Sequence, residues 1–572
     1  MKFLWSYFKK YRLESILAPL FKCLEACFDL AVPVIVAKII DTGIATANKP
    51  YIISRFLLLL AMAVLGLVSS CVAQYFAAKA AIGTAAGLRQ DLLCKIQTLS
   101  CGEVDAVGTS TLITRMTSDV NQVQNGLNMF LRLFMRSPFI VFGAMIMAFT
   151  INARLALIFV IAIAVLFFIV FGVMWLSNPL YKKVQQQLDG VTEATREDLN
   201  GVRVIRAFSR EGEQKKRFAA QNERLLHAQL FVGRVAAIMN PLTYLIVNAV
   251  IIAVLWLGAG KIQNGVLLSG SIIALINYIL QILVELVKLA NLITQLGRSV
   301  ASMNRVGQVL SLQSGMQFGG GSQPQAGAPA VQFNNVSFCY NGSAEPALQN
   351  ISFTAQKGQT IGVIGGTGSG KTTLANLILR FYDATGGTVL VNGVPVQSLS
   401  KQQLEQAVSA VLQRPRLFSG TVKSNLQLAA PQATEQQMLW ALRLARAEDF
   451  VLEKGGLDAA VEQDGANFSG GQRQRLTIAR TLLSGAKIII LDDSLSALDF
   501  ATDAAVRRAL KTLPKDVTVF FISQRVGSIA GADRILVLDD GALVGSGTHS
   551  ALLQSCGVYR EIFESQTKGA EA

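Results

Sequence analysis

Gly365-Gly366-Thr367-Gly368-Ser369-Gly370-Lys371-Thr372 fits the pattern G-x-x-x-x-G-K-[ST], which is typical of a loop that binds phosphate groups. Residues 360–364, directly before it, form an apolar run short enough for a buried strand, and residues 373–381, directly after it, carry apolar side chains at helical spacing. Glycines let backbone N–H groups approach phosphate oxygens, and the helix that follows turns its positive end toward them. The stretch therefore predicts a strand, a phosphate-binding loop and a helix in that order.

A second motif further along the chain indicates what the loop binds. Residues 488–491 are four consecutive apolar residues that predict a buried strand, and Asp492 stands at its end. An acid at this position holds Mg²⁺ through water, while Lys371 is expected to reach the β- and γ-phosphates and Thr372 to offer its hydroxyl to Mg²⁺. The two motifs together predict an α/β P-loop NTPase domain with ATP and Mg²⁺ as cofactors.

The first half of the chain is too apolar for an ordinary soluble protein. Hydrophobic residues make up 51% of the 572 residues. Five runs contain no Asp, Glu, Lys or Arg, and most reach the roughly 20 residues that cross a bilayer. These runs are 56–78, 137–153, 155–177, 235–260 and 262–284. A sixth, weaker span is expected at about 13–37, where Lys22, Glu25 and Asp29 interrupt it.

The composition then changes along the chain and divides it into domains. We expect a six-span transmembrane domain over residues 1–310 and a flexible linker, rich in Gln, Gly, Ala and Pro, over 311–330. The soluble α/β domain is expected over 331–566, with a short tail over 567–572. Six spans rule out a soluble repair-type ATPase.

The net charge is +15, and the distribution of the basic residues along the chain indicates the membrane topology. Lys and Arg crowd the N-terminus and the connections between spans two and three and between spans four and five. The positive-inside rule puts the N-terminus and the nucleotide domain in the cytoplasm, in a multi-pass protein of the plasma (inner) membrane. Lipid is thus the expected surroundings, and nucleic acid is not an expected partner. The two basic connections stay helical and predict long cytoplasmic hairpins with tips near 114–120 and 197–208.

Polar side chains inside the spans are candidates for contact with a small-molecule substrate. Glu25 and Asp29 are four residues apart, so they share one face of the first span, and Asn277 and Gln281 do the same on the sixth. We expect these four residues to line a substrate cavity. The alternative is internal ion pairing, as between Glu285 and Lys288.

Residues 468–475, Phe-Ser-Gly-Gly-Gln-Arg-Gln-Arg, open a helix with small residues, so backbone amides can face a phosphate. The order of motifs resembles the ATP-binding cassette family, and the six-span half resembles the membrane domain of its exporters. The resemblance implies ATP contacts from Tyr340, Gly365, Gly366, Thr367, Gly368, Ser369, Gly370, Lys371, Thr372 and Thr373. It also implies Mg²⁺ ligands at Thr372, Gln413 and Asp492, and signature and D-loop residues that serve a partner's ATP at Ser469, Gly470, Gly471, Gln472 and Asp499.

Two positions depart from the family pattern. The family has a glutamate as catalytic base where this chain has Asp493, and a switch histidine where it has Gln524. Asp493 is one methylene shorter, and about 1 Å of misplacement costs on the order of 100-fold in rate. Gln524 can hydrogen-bond a γ-phosphate but exchanges no proton at neutral pH. With Asp492 and Gln413, these residues predict a site that binds ATP and cleaves it slowly; the alternative is that both work adequately in place.

A degenerate site beside an intact signature implies one half of a heterodimer, with two ATP molecules between opposed cassettes and a catalytically intact partner. The expected function is ATP-driven export of amphiphilic small molecules of the multidrug type. Export of lipid, peptide or a small thiol stays open. A different class is open as well, namely a regulatory or channel-like subunit that binds ATP without cleaving it.

Overall fold

The computed structural model describes residues 7, 9–325, 327–343, 345–496 and 498–568. Ala497, within the predicted D-loop, lies outside the described residues. The chain divides into two compact units. The first comprises the residues up to Gln97 together with Ser110–Leu312, and the second comprises Thr98–Thr109 together with the residues from Gln313 onward.

Helices make up the first unit and its connections. In chain order they are α1 (Arg12–Lys38), α2 (Lys49–Thr98), α3 (Cys101–Val107), α4 (Thr109–Ile151), α5 (Ala153–Asn200), α6 (Val202–Ala207), α7 (Glu211–Gln263) and α8 (Ser269–Ser311). Three short π-helical segments occur at Ile39–Ile44, Arg115–Asp119 and Phe130–Phe134. Among the described residues, α2, α4, α5, α7 and α8 are long and apolar enough to cross a membrane.

Helix α1 is the weak span that the sequence indicated. Its 27 residues extend about 40 Å, enough to cross a bilayer, but its charged residues lower its hydropathy. It packs against α4 and α8 as a member of the same bundle. Small buried residues, including Ala26 and Ala144, let these helices approach closely, and the fully buried Tyr278 of α8 donates a hydrogen bond to the carbonyl oxygen of Leu30 at 2.6 Å.

Two expected boundaries in this unit are wrong. The fifth helix does not end before Lys261 but continues to Gln263, and the sixth begins only at Ser269. Asn264-Gly265 forms the turn, with Gly265 at φ +68°, and its lack of charge hid it inside an apolar run. The first hairpin tip is the short helix α3, whereas residues 114–120 lie within α4, where Asp119 is buried and bonded to Arg305.

The second unit contains two main sheets. The strands are β1 (Val331–Phe338), β2 (Leu348–Ala355), β3 (Thr360–Gly365), β4 (Gly386–Val391), β5 (Val394–Pro395), β6 (Val408–Val411), β7 (Gly420–Thr421), β8 (Ala460–Val461), β9 (Ile488–Asp492), β10 (Thr518–Ile522), β11 (Arg534–Asp539) and β12 (Ala542–Gly547). One sheet has the order β2-β1-β4-β5 and is antiparallel. The other has the order β12-β11-β3-β10-β9-β6 and is parallel except for β12. Strands β7 and β8 pair separately.

Ten further helices lie in the described residues of this unit. They are α9 (Lys371–Ile378), α10 (Lys401–Ala407), α11 (Val422–Gln427), α12 (Glu435–Leu444), α13 (Glu448–Glu453), α14 (Gly470–Leu483), α15 (Phe500–Leu510), α16 (Val526–Ile529), α17 (His549–Ser555) and α18 (Gly557–Lys568). One-turn 3₁₀ segments lie at Val396–Ser398, Gly456–Asp458 and Gln463–Gly465. All residues of β9 and β10 are buried, so the sheet is the core that carries the loops at its edge.

The described residues of the expected flexible linker contain neither helix nor strand after Ser311, but parts of the stretch are held on the nucleotide domain. The backbone amides of Gly319 and Gln325 donate to the carbonyl oxygens of Leu399 and Asn392, at 3.1 Å each. The guanidinium of Arg380 stacks over the ring of Phe318, at 4.6 Å from its centre. These contacts anchor the stretch on the second unit instead of leaving it as a free tether.

Candidate nucleotide-binding site

Four neighbouring parallel strands bring the predicted motifs together. Strands β3, β10, β9 and β6 are adjacent in the sheet, so the loops that follow their carboxyl ends share one edge. The phosphate-binding loop follows β3, Gln524 follows β10, Asp493 follows β9 and Gln413 follows β6. Residues far apart in the chain therefore line one cleft of about 330 Å³.

Backbone geometry explains the glycines of the loop. Gly370 has φ +93°, and a β-carbon there would lie 2.5 Å from a methyl carbon of Leu348. A β-carbon on Gly365 would lie 2.1 Å from the carbonyl oxygen of Leu538. No side chain fits at either position without displacing the chain. The loop therefore keeps its backbone amides at the cleft surface, at the start of α9.

Lys371 carries the positive charge of the cleft. Its Nζ donates to the carbonyl oxygens of Gly365 and Gly366, at 2.9 and 2.5 Å, and to Ser369 Oγ at 3.2 Å. Burial lowers its pKa, while the carboxylates of Asp492 and Asp493 act in the opposite direction. These hydrogen-bond partners are neutral oxygens, so the ammonium group keeps its charge available to an anion that enters the cleft.

The two acids at the end of β9 have raised pKa values. Burial raises the pKa of the Asp492 carboxyl, a hydrogen bond from Thr372 opposes the shift, and the charge of Asp493 adds to it. Burial also raises the pKa of Asp493, while Ser496, Arg525 and Lys371 act against the increase. A raised pKa makes a carboxylate a better proton acceptor than an exposed aspartate.

The donors around Asp492 suit Mg²⁺. Thr372, Gln413 and Asp492 line the same cleft and offer hydroxyl, amide and carboxylate oxygens, the ligand type that Mg²⁺ prefers. Among the described residues, no group of three or more His, Cys, Asp or Glu could hold a metal ion by itself. Mg²⁺ usually keeps water and phosphate oxygens among its ligands, so the oxygens of Thr372, Gln413 and Asp492 could supply the protein's share.

Most of the residues predicted to contact ATP line this cleft, and the other three belong to the same phosphate-binding loop. The cleft is lined by Tyr340, Thr367, Gly368, Gly370, Lys371, Thr372, Thr373, Gln413, Asp492, Asp493 and Gln524, among others. Gly365 and Ser369 are buried under the loop, and Gly366 is exposed beside it. The site predicted from the phosphate loop and the strand ends is therefore brought together in one place.

Tyr340 stands at the end of the cleft and touches a residue that the sequence did not indicate. Its hydroxyl lies 3.1 Å from Thr373 Oγ1, and its ring meets the ring of Tyr382 edge to face, at 5.2 Å between centres. The hydroxyl of Tyr382 donates to a carboxylate oxygen of Asp105 on α3. Sequence reasoning missed Tyr382 because an aromatic residue after a helix carries no motif.

The predicted signature lies apart from the cleft. Ser469 caps α14: its Oγ accepts from the amide of Gln472, and its own amide donates to Gln472 Oε1 at 3.0 Å. Ser469 and Gly470 are exposed, so the amides of this helix start face solvent. Phe468, directly before Ser469, is a buried core residue. Asp499 caps α15 in a similar way, accepting from the amide of Thr502.

The side chain of Gln524 lines the cleft, and its backbone is hydrogen-bonded by a residue outside the cleft. Its carbonyl oxygen accepts from Gln566 Nε2 at 2.7 Å, and the amide of Val526 donates to Gln566 Oε1 at 2.9 Å. Gln566 lies on α18, near the end of the chain. No pattern in the sequence distinguishes this glutamine from other polar residues of that helix.

The candidate substrate residues of the first unit belong largely to an ion network. Six side chains, three basic and three acidic, form what we call the charged cluster: Lys22, Glu25, Asp29, Arg136, Glu285 and Lys288. Arg136 is its centre, with Nη2 at 2.8 Å from Asp29 and Nη1 at 2.8 Å from Glu285. The expected alternative, Glu285 with Lys288, is present at 3.0 Å.

This network changes the interpretation of the four substrate candidates. Lys22 and Arg136 pair with Glu25, and Arg136 pairs with Asp29, so neither acid offers a free negative charge. Asn277 donates to the carbonyl oxygen of Ile273 on its own helix, and Gln281 donates to that of Asp29. Arg136 was missed because it stands directly before the apolar run 137–153, where it looked like a flanking charge.

Comparisons with known proteins agree with this architecture. Residues 15–286 match the family described as ABC transporter transmembrane region, and residues 348–496 match the family described as ABC transporter. The chain is 35% identical over 571 residues to an uncharacterized ABC transporter ATP-binding protein of Mycobacterium tuberculosis (strain CDC 1551 / Oshkosh), covering 99% of this chain and 98% of the relative.

Two further matches cover both chains almost completely. An ATP-dependent lipid A-core flippase of Haemophilus influenzae (strain 86-028NP) is 29% identical over 99% of this chain and 97% of its own. The solved structure of a bacterial Atm1-family ABC exporter with ATP bound superimposes with a TM-score of 0.80 over 98% of both chains, at 22% identity, and shows the same fold. The predicted fold, a helical membrane domain followed by an α/β nucleotide-binding domain, is thereby confirmed.

Taken together, the bundle of membrane-crossing helices, the P-loop cleft and these matches identify the chain as a member of the ABC transporter family, a half-transporter in which one transmembrane region and one ATPase cassette serve export across a membrane.

Proposed function

We propose that this chain exports amphiphilic small molecules of the multidrug type as one half of a heterodimer, and that its own ATP site is catalytically degenerate. The observation that carries the proposal is the composition of one cleft. An intact phosphate loop and Mg²⁺ donors share it with Asp493 and Gln524, which stand where the family has a glutamate and a histidine. In this assignment Asp492, Thr372 and Gln413 bind Mg²⁺, and Tyr340 stacks on adenine.

The backbone conformation at residue 493 favours the aspartate found there over the glutamate of the family. Asp493 has φ +45°, in the left-handed region, where Asp and Asn occur several-fold more often than other side chains. Its amide donates to the carbonyl oxygen of Ile522 at 2.9 Å, which fixes this conformation. The backbone that carries Asp493 is thus held in place, and the reach of the carboxylate is set by its single methylene group.

The exposed signature supports the need for a partner. Ser469 and the start of α14 are exposed and are not among the residues that line the chain's own cleft, so they suit an ATP molecule bound by a second cassette. We assign the chain's own phosphate loop to the degenerate site and its signature to a competent site whose glutamate and histidine come from the partner. The plasma membrane, with the cassette in the cytoplasm, is the assigned location.

The charged cluster bears on the substrate. Its three cations and three acids cancel, so we assign Glu25 and Asp29 no role in selecting a cationic substrate. An amphiphile that carries no net charge fits this neutral cluster. Lipid export is the second candidate, because relatives named as lipid A-core flippases align along nearly the whole chain.

The test is ATP hydrolysis by the purified full chain, alone and together with candidate partner half-transporters. We expect the lone chain to be nearly inert and one partner to restore turnover. Asp493→Glu combined with Gln524→His should raise the rate of the lone chain, and Lys371→Ala measures any contaminating ATPase. Brisk hydrolysis by the unmodified lone chain would refute the degenerate site and favour a homodimer. A complex that binds ATP and never turns it over would favour the regulatory subunit.

A further inference from the structure

The switch glutamine is held by a residue at the far end of the chain. The carboxamide of Gln566 bridges two peptide groups on either side of Arg525: it donates to the carbonyl oxygen of Gln524 and accepts from the amide of Val526. Both hydrogen bonds are short, at 2.7 and 2.9 Å. A single side chain therefore fixes the path of the backbone that carries Gln524 into the cleft.

The helix that bears Gln566 is firmly anchored. Tyr559 of α18 is fully buried, and its hydroxyl lies 2.7 Å from His549 Nδ1 on α17. The ring of Phe563 packs against the same histidine, at 5.5 Å between centres, and against the core. Because α18 is fixed at these points, Gln566 projects toward the switch from a rigid support.

The switch segment in turn contacts the segment that follows Asp493. Arg525 Nη2 donates to the carbonyl oxygen of Ser496 at 3.3 Å, and its guanidinium lies 5.7 Å from the ring centre of Phe500. The charge of Arg525 also acts to lower the pKa of Asp493. A shift of the backbone at residues 524–526 would therefore move the groups on both sides of the expected γ-phosphate position.

We propose that Gln566 is a positioning residue for the nucleotide switch: through its two backbone hydrogen bonds it sets where the Gln524 side chain meets the γ-phosphate. Gln566 does not touch the nucleotide in this role. The inference rests on the proposed contact between Gln524 and the γ-phosphate, and it does not depend on the degenerate site or on a heterodimer.

The γ-phosphate provides a readout that a general structural role would not change. ADP lacks this phosphate, so the ratio of the ADP and ATP dissociation constants reports the contacts made with the γ-phosphate, and a change in that ratio on mutating Gln524 reports the switch contact. In the full-length chain, Gln524→Ala should lower the ADP/ATP ratio about tenfold or more, the size of a hydrogen bond to a charged group. Gln566→Ala should lower it about threefold to tenfold, with ADP affinity unchanged. In the double variant the effects should not add, because Gln566 acts through Gln524.

Two further variants keep the test decisive. Gln554→Ala removes an exposed glutamine of α17 and should leave the ratio unchanged. Gln566→Glu keeps the acceptor for Val526 but cannot donate to Gln524, so it should repeat the loss even if the alanine variant folds poorly. A normal ratio in both Gln566 variants, with a lowered ratio in Gln524→Ala, overturns the inference alone. A normal ratio in Gln524→Ala overturns the proposed switch contact as well.

Discussion

The nucleotide cleft and the charged cluster both gather ionisable side chains, but they hold their charges in opposite ways. In the cleft, the ammonium of Lys371 donates hydrogen bonds to carbonyl and hydroxyl oxygens. Burial also raises the pKa of Asp492 there. In the cluster, Arg136 contacts the carboxylates of Asp29 and Glu285 directly. The ammonium of Lys371 has neutral hydrogen-bond partners and can still attract an anionic ligand. The guanidinium of Arg136 is instead neutralised by carboxylates of other helices.

The largest expected effect tests the cleft side of this contrast. Lys371→Ala removes the ammonium and its charge-assisted hydrogen bonds to two phosphates, together about 3–6 kcal/mol. The dissociation constant of ATP should therefore rise about a hundredfold or more. Isothermal titration of the purified chain measures it. Lys401→Ala, which removes an exposed lysine at the start of α10, should leave ATP affinity unchanged, and an unchanged affinity in Lys371→Ala would remove that lysine from the site.

The next effect tests the cluster. Arg136→Gln leaves the acids around it without their shared cation, and breaking a buried ion pair costs about 3–5 kcal/mol. We expect a clearly lower unfolding midpoint in detergent with unchanged ATP affinity. Arg154→Gln, at an exposed arginine near the start of α5, is the matched control. If Arg136→Gln keeps the unfolding midpoint of the unmodified chain but, in complex with a partner that restores turnover, loses stimulation of ATP hydrolysis by transported compounds, the cluster is a ligand site like the cleft, and the contrast fails.

The same contrast explains how far the sequence could be interpreted. The cleft was predictable because each motif is local and because parallel strands bring their carboxyl ends to one edge. Only its remote supports were missed: Gln566 lies 42 residues from Gln524, and Tyr382 contacts an acid 277 residues away. Neither contact leaves a local pattern, since hydrogen bonds to backbone groups or to a distant acid require the folded chain.

The membrane domain was predictable in its spans and less so in its polar residues. Helical spacing placed Glu25 and Asp29 on one face, which the structure retains, but it could not supply their partner. Arg136 comes from a helix 107 residues further along. The boundary between α7 and α8 failed for a related reason: an uncharged turn at Asn264-Gly265 reads as apolar when hydropathy is the only guide.

A smaller effect concerns Mg²⁺ and pH at Asp492. Mg²⁺ should strengthen ATP binding as long as the carboxyl of Asp492 is ionised. As pH falls, the carboxyl is protonated and the gain is lost; because burial raises its pKa, the loss should begin above the range of an ordinary aspartate. Titrations at several pH values with and without Mg²⁺ measure the gain.

Two variants separate this effect from the titration of ATP itself. Asp492→Asn should show little gain from Mg²⁺ at any pH. Asp516→Asn changes a surface acid whose pKa is lowered by its hydrogen bond to Lys487, and it should behave as the unmodified chain does. An unmodified chain whose Mg²⁺ gain stays constant down to acidic pH would show that Asp492 is not the ligand that titrates.

The smallest effect tests whether the cleft, unlike the charged cluster, is connected to the short helix α3. Tyr382→Phe keeps the ring against Tyr340 but removes the hydroxyl that donates to Asp105 of α3. Glu103 still accepts from the amide of Gly315 at 2.8 Å, so only part of the docking of α3 is lost. One hydrogen bond is worth about 1 kcal/mol, so amide exchange in residues 101–107 should quicken about fivefold while ATP affinity stays unchanged. Tyr51→Phe, in α2, is the control and should leave that exchange unchanged. If residues 101–107 exchange equally slowly in Tyr382→Phe and in the unmodified chain, the contact with Gly315 is sufficient to hold α3. The Tyr340 end of the cleft is then not linked to α3 through the Tyr382 hydroxyl.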